Sequence, residues 1–180
     1  MTHRPHHHLE LSIRELGQLF NSMDPTPFLN KDLDRDAEAF IENWALSLSP
    51  GGRLHITFHL ERPFADGDPN SLITEAIHNY FSYKSGLVRA ELKRLLTEGR
   101  ASLFIGLLFL TLCLVAAESM GAATSGATSR VLREGLTIIG WVALWRPLQI
   151  FLYDWWPLAR RLRVYKNLSH ALVKVTVRPQ

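Results

Sequence analysis

ASLFIGLLFLTLCLVAA, from Ala101 to Ala117, decides the fold. It carries no charge and no proline, and Glu118 ends it. About 17 to 20 such residues at 1.5 Å rise match a hydrocarbon layer roughly 30 Å thick. A soluble core helix of that length would show a polar stripe, and here only Ser102, Thr111 and Cys113 are even mildly polar. The stretch is expected to be a transmembrane helix.

Downstream, GLTIIGWVALWRPLQIFLYDWW supplies a second apolar segment, interrupted by Arg146 and Pro147. An arginine at the bilayer centre is costly and proline removes a backbone hydrogen bond, so both belong nearer the interface. Tyr153, Trp155 and Trp156 form an aromatic belt of the kind found at that boundary. Between the two segments, the Gly-, Ala-, Ser- and Thr-rich stretch Ser119–Ser129 reads as a loop. The basic residues Lys84, Arg89, Lys93, Arg94 and Arg100 precede the first segment, and Arg160, Arg161, Arg163 and Lys166 follow the second. Only Arg130 and Arg133 lie between, so the positive-inside rule sets both termini in the cytoplasm.

Upstream, the chain reads as a small water-soluble domain. HLELSI, His8–Ile13, alternates like a half-buried strand. Leu16, Leu19, Phe20 and Met23 predict a short helix near Arg14–Ser22, stopped by Asp24-Pro25-Thr26-Pro27. Asp34 is an N-cap for a helix to Leu48 whose apolar face is Phe40, Ile41, Trp44 and Leu48, and Asp36 and Glu38 suit its dipole. Ser49-Pro50-Gly51-Gly52 ends it. RLHITFHLE, Arg53–Glu61, is the clearest strand, with Leu54, Ile56, Phe58 and Leu60 inward and His55, Thr57 and His59 outward. Asp68-Pro69 opens a long helix that no proline interrupts before Glu118, so it is expected to run into the first span. Near the C-terminus, ALVKVTVRP alternates as a third strand. A lone terminal strand is unstable, so it is expected to return to the sheet of the other two.

The expected architecture is an α+β membrane protein. A flexible leader spans 1–8, a cytoplasmic domain and helical stalk 9–100, and the first span 101–118. An extracytoplasmic loop covers 119–133, the second span 134–156, and an amphipathic helix with the closing strand 157–180. The start, MTHRPHHHLELS, has no apolar h-region and is not expected to be a secretory signal. With Cys113 the only cysteine, an intrachain disulfide is excluded.

Chemistry is sparse. The leader histidines His3, His6, His7 and His8 suggest metal capture, but a solvated terminus explains them better. His55 and His59 share a strand face about 13 Å apart, too far for one metal without other ligands. No phosphate loop, G-x-S-x-G, H-E-x-x-H or paired-cysteine motif occurs, so no catalytic residue, cofactor or metal is expected. Arg146, Gln149 and Tyr153 form a polar stripe within the second segment, with Glu118, Glu134 or Asp154 as possible partners for the arginine. The collar of Arg89, Lys93, Arg94, Arg100, Arg160, Arg161, Arg163 and Lys166 suits anionic lipid at about 1 kcal/mol per charge, although topogenic charge alone accounts for it. Without an aromatic-interleaved basic strand, nucleic acid is not an expected partner. DPTPFLNKDLD reads equally as a partner-binding loop or as a loop shaped by two prolines.

The runs LFNSMDPTPFLNKDLD, AIHNYFSYKSGL and WRPLQIFLYDWWPLARR resemble a group of small bacterial two-span inner-membrane proteins. The resemblance covers nearly the whole chain and implies a bacterial inner-membrane setting, with no activity attached. The leading expectation is a non-enzymatic scaffold or accessory subunit, either a homo-oligomer or joined to another membrane-protein subunit. A ligand-responsive effector or channel-forming oligomer, and a lipid-associated enzyme, are the alternatives.

Overall fold

The hydrophobic alternation of Arg53–Leu60 places this strand, β2, at the centre of a three-stranded sheet of order β1-β2-β3. In the computed structural model, which describes residues 6–21, 32–48, 52–62, 68–123 and 126–177, β1 is His6–Ile13 and β3 is Leu172–Val177. Both flank β2 in parallel, in the registers Leu9↔Ile56 and Phe58↔Val175. Strands that run parallel need crossovers, and here each one is helical. The first contains a 3-10 turn at Leu16–Leu19 and helix α1, Arg35–Ser47. The second contains everything from α2, Pro69–Ala123, through α3, Ala127–Val142, and α4, Trp145–Gln149. It ends with a π-turn at Ile150–Asp154 and helix α5, Trp155–Leu168.

The chain divides into two units, Met1–Val88 with Arg160–Gln180, and Arg89–Ala159. In the first, one face of the sheet is apolar. Leu9, Leu54, Ile56, Phe58 and Leu60 are buried there, in a core shared with Ile41 and Ala45 of α1. Ile73, Ala76, Ile77 and Phe81 of α2 and Tyr165 and Leu168 of α5 complete this core. Helix α2 is tied to β3 and to the residue before it: Asn70 Oδ1 accepts from the Val175 amide at 2.9 Å, and the His78 imidazole donates to Ala171 O at 2.8 Å. The Asn70 bond occupies an outer-edge amide that would otherwise invite another strand.

Asp34 caps α1 as its sequence predicts, accepting from the Asp36 amide at 3.0 Å. Asp68 likewise caps α2 through the amides of Asn70 and Ser71. Several expectations are corrected. The leader does not extend to residue 8, because His6, His7 and His8 pair with Arg53, Leu54 and His55 in the β ladder. The helix expected over Arg14–Ser22 is a single 3-10 turn. Phe20 then leaves it to bridge Leu33, which buries Leu16, Leu19 and Phe20 without further helix. On α1 the buried positions are Ile41 and Ala45, while Phe40 is 54% exposed. Met23, the Asp24–Pro27 stop and the Ser49–Gly51 turn lie outside the described residues, as does most of DPTPFLNKDLD.

In the second unit, α2 is continuous through the whole apolar run Ala101–Ala117. Of the loop expected over 119–133, residues 119–123 continue α2 and residues 127–133 belong to α3, because sequence with good helix formers propagates a helix already begun and Ser119 Oγ bonds back to Val115 O. The amphipathic helix expected from 157 is continuous with Trp155. Two helices here are long and apolar enough to cross a membrane.

They pack through α2 positions Gly106, Leu110, Cys113 and Ala117, alternately four and three apart, the a/d spacing of a left-handed helix pair. Small residues set the distance. A Cβ on Gly106 would lie 3.0 Å from Ala143 O and Leu144 Cδ2, and one on Gly140 would lie 2.8 Å from Leu110 Cδ1. Backbones approach closely where side chains are absent, which is how helices associate in lipid.

Candidate functional site

Polar groups converge at three places. The first is Arg146, on α4 where the second apolar segment is interrupted. Its Nη1 donates to Asp154 Oδ2 at 3.1 Å and its Nη2 to Glu98 Oε1 at 3.2 Å. The π-turn explains the first contact. Eight residues of α-helix turn about 800°, which is about 80° past two full turns. One extra residue in a π-turn takes back about 100°, so Asp154 falls beneath Arg146 on the same face. Pro147, one residue on, has no amide to donate, which favours an irregular helix here. Of the partners weighed from sequence, Asp154 is the one engaged. Glu118 and Glu134 are not, and Glu98 on α2 completes the group. Among the described residues, Gln149 and Tyr153 make no polar contact with Arg146. Glu98 had no sequence signal beyond standing three residues before the apolar run.

The second place is helix α1 in the first unit. Glu38 and Glu42, one helical turn apart, form two clamps of the same composition. Glu38 Oε2 accepts from the Tyr80 hydroxyl at 2.6 Å, and Oε1 pairs with Lys84 at 2.8 Å. Glu42 Oε2 accepts from the Tyr165 hydroxyl at 2.9 Å, and Oε1 from Arg161 Nε at 3.1 Å. Each clamp draws its tyrosine and cation from one helix at i, i+4 spacing, Tyr80 and Lys84 on α2 and Arg161 and Tyr165 on α5. Each cation also lies near its tyrosine ring, at 5.4 Å for Lys84 and 5.7 Å for Arg161. Burial, then the hydrogen bond to Glu38, push the Tyr80 phenol well above its ordinary value. Burial, then Glu42, raise that of Tyr165. The hydrogen bond with Tyr165 raises the Arg161 guanidinium further. Reading Glu38 as a dipole complement missed this role, for which the i, i+4 pairs on three helices were the available signal.

The third place is the polar face of the sheet. Glu10 stands between two imidazoles, His8 Nδ1 at 3.4 Å and His59 Nε2 at 3.3 Å. The other nitrogen of each ring meets a threonine hydroxyl, Thr57 at 2.8 Å for His8 and Thr176 at 2.7 Å for His59. This network staples all three strands. It commits both rings to neighbours, and among the described residues no three His, Cys, Asp or Glu side chains converge as a metal site. Two open cavities lie along the sheet, and the first of them adjoins this network. One of about 520 Å³ is lined by His8, His55, Thr57 and Lys174, and one of about 610 Å³ by Arg53, Lys166 and His170. Leu172 lines both.

The basic collar divides in two. Arg89, Lys93, Arg94 and Arg100 are exposed on α2 with no ion-pair partner among the described residues, and Arg163 and Lys166 are likewise free on α5. Arg160 instead donates to Leu46 O at 2.7 Å, and Arg161 belongs to the Glu42 clamp. Those two, although exposed, are tied to α1. Comparison with protein-family models, curated proteins and solved structures returned no match.

Proposed function

We propose that the chain is a non-enzymatic scaffold or accessory subunit of a bacterial inner membrane, crossing it twice with both termini in the cytoplasm. One observation carries this reading: β1 and β3, from opposite ends of the sequence, flank the same strand although both apolar helices lie between them. Segments that share a sheet must lie on one side of any membrane the intervening helices cross. The charge bias of the flanking sequence selects the cytoplasmic side independently.

Further support comes from how polar side chains are used. The half-buried carboxylates of α1, Glu38 and Glu42, join the helix entering the apolar hairpin to the one leaving it, which is a task of mechanical integrity. Tyr83 and Leu87, 62% and 49% exposed one turn apart on α2, offer an apolar contact for a second copy or another subunit. Arg89, Lys93, Arg94 and Arg100 follow at once along the same helix, suited to anionic headgroups.

Topology is tested with Cys113→Ala as background and single cysteines at Ser12, Thr128 and Asn167. An impermeant maleimide should label Thr128→Cys in intact cells, and the other two only after lysis. Labelling of Ser12→Cys or Asn167→Cys in intact cells would refute the orientation. The cavities beside the sheet favour a second reading, a ligand-responsive effector. Native mass spectrometry with liposome conductance separates the two, because a conducting homo-oligomeric ring would replace the scaffold reading.

A further inference from the structure

We propose that the two cavities joined at Leu172 form one trough that binds a small ligand carrying several phosphate charges. The proposal goes beyond the scaffold reading and does not depend on it, since every lining residue lies in the sheet domain.

The argument begins with charge. Arg53, Lys166 and His170 line one cavity, and His8, His55 and Lys174 the other. Among the described residues, no carboxylate lines either. Lys84, Arg146 and Arg161 each meet a glutamate or aspartate, whereas Arg89, Lys93, Arg94 and Arg100 of α2 meet none among the described residues. Arg53, Lys166 and Lys174 meet none among the described residues. Repulsion between unneutralised cations is tolerated when a ligand supplies the counter-charge. The partial negative charge at the C-terminus of α5 accounts for Lys166 and His170. It does not account for Arg53 and Lys174, which stand on strands.

Geometry then sets the ligand's size. Side chains at Arg53, His55 and Thr57 share the polar face of β2, and Thr57 pairs in register with Lys174 on β3. Four residues of strand separate Arg53 from the Lys174 row by about 13 Å, too far for one phosphate to meet both. The cavities, at about 610 and 520 Å³, each fall in the range of small-molecule sites. The donors suit phosphate. The Lys166 carbonyl holds His170 Nδ1 at 2.9 Å, leaving Nε2 as that ring's remaining polar atom. Leu172, 56% exposed at the junction, adds an apolar contact for the non-phosphate part of the ligand. Parallel sheets are ordinarily covered on both faces, and on this polar face Arg53, Leu172 and Lys174 are exposed.

The source of the phosphate is either soluble or a lipid headgroup. Full-length protein in neutral detergent is titrated calorimetrically with inorganic tripolyphosphate and, separately, with dioctanoyl phosphatidic acid. Saturable binding of tripolyphosphate, weakened by raising salt from about 0.05 to 0.3 M, supports the trough with a soluble ligand. Binding of the short-chain lipid alone supports it with a headgroup. In either case Arg53→Gln and Lys174→Gln should each weaken binding roughly tenfold, while Arg62→Gln, paired with Glu15, leaves it unchanged. Thermal midpoints equal to that of the parent confirm that the exposed substitutions leave the fold intact. No saturable binding of either probe, or undiminished binding by both folded variants, overturns the proposal.

Discussion

Replacing Glu42 with alanine should cost the protein about 2 kcal/mol. The carboxylate is 16% exposed and accepts two hydrogen bonds, one from the buried Tyr165 hydroxyl and one from Arg161. A hydrogen bond to a charged group contributes about 1.5–3 kcal/mol. The Arg161 bond is discounted, because that side chain is 45% exposed and can be rehydrated. The Tyr165 hydroxyl keeps its contact with Arg161 Nη2 at 3.0 Å but loses its acceptor. In a chain of this size each kcal/mol moves the thermal midpoint by roughly 2–4 °C, so Glu42→Ala should lower it by about 4–8 °C. Differential scanning fluorimetry in detergent on the full chain reads this directly. Arg62→Ala, which breaks an exposed ion pair with Glu15, is the reference and should stay within about 0.5 kcal/mol. Because Glu42 and Tyr165 act as one unit, Glu42→Ala with Tyr165→Phe should lose less than the sum of the separate losses, by about 1 kcal/mol. A midpoint for Glu42→Ala indistinguishable from Arg62→Ala would refute the clamp as a structural element.

The Tyr80 phenol is raised above its ordinary 10.0 in the folded state, so its contribution is fully present below pH 10 and is lost as pH climbs through the raised value. Denaturant unfolding should therefore find Tyr80→Phe less stable than the parent at pH 8, with the gap closing above about pH 10. A gap that widened there would reverse the sign. In the apolar hairpin, Gly106→Leu puts its Cβ 3.0 Å from Ala143 O and Leu144 Cδ2, whereas the Cβ of Gly135→Leu meets nothing within 4 Å. Overpacking of the first kind costs about 1–3 kcal/mol. The detergent thermal midpoint should fall for Gly106→Leu alone, and equal effects at both glycines would contradict the close packing.

Read alone, the sequence determined what local chemistry controls. The uncharged run at Ala101–Ala117 made a helix of bilayer length certain to need an apolar surrounding or lipid, and Asp34 and Asp68 marked helix starts to the residue. Alternation gave the inward residues of β2 correctly, because period two follows from the strand itself. The same rule left strand direction open, since alternation is identical whichever way a neighbour runs. Only the crossovers made the sheet parallel. Pairing with Arg53–His55 likewise drew His6–His8 into β1, though histidines there resemble a solvated leader. The polar clusters were least legible. Glu98 reaches Arg146, and Glu42 reaches Arg161, across 48 and 119 residues of chain, and a π-turn brings Asp154 round to the same arginine. Local sequence sets which face a side chain occupies, but which distant group it meets there depends on how whole helices pack, and that was settled only in three dimensions.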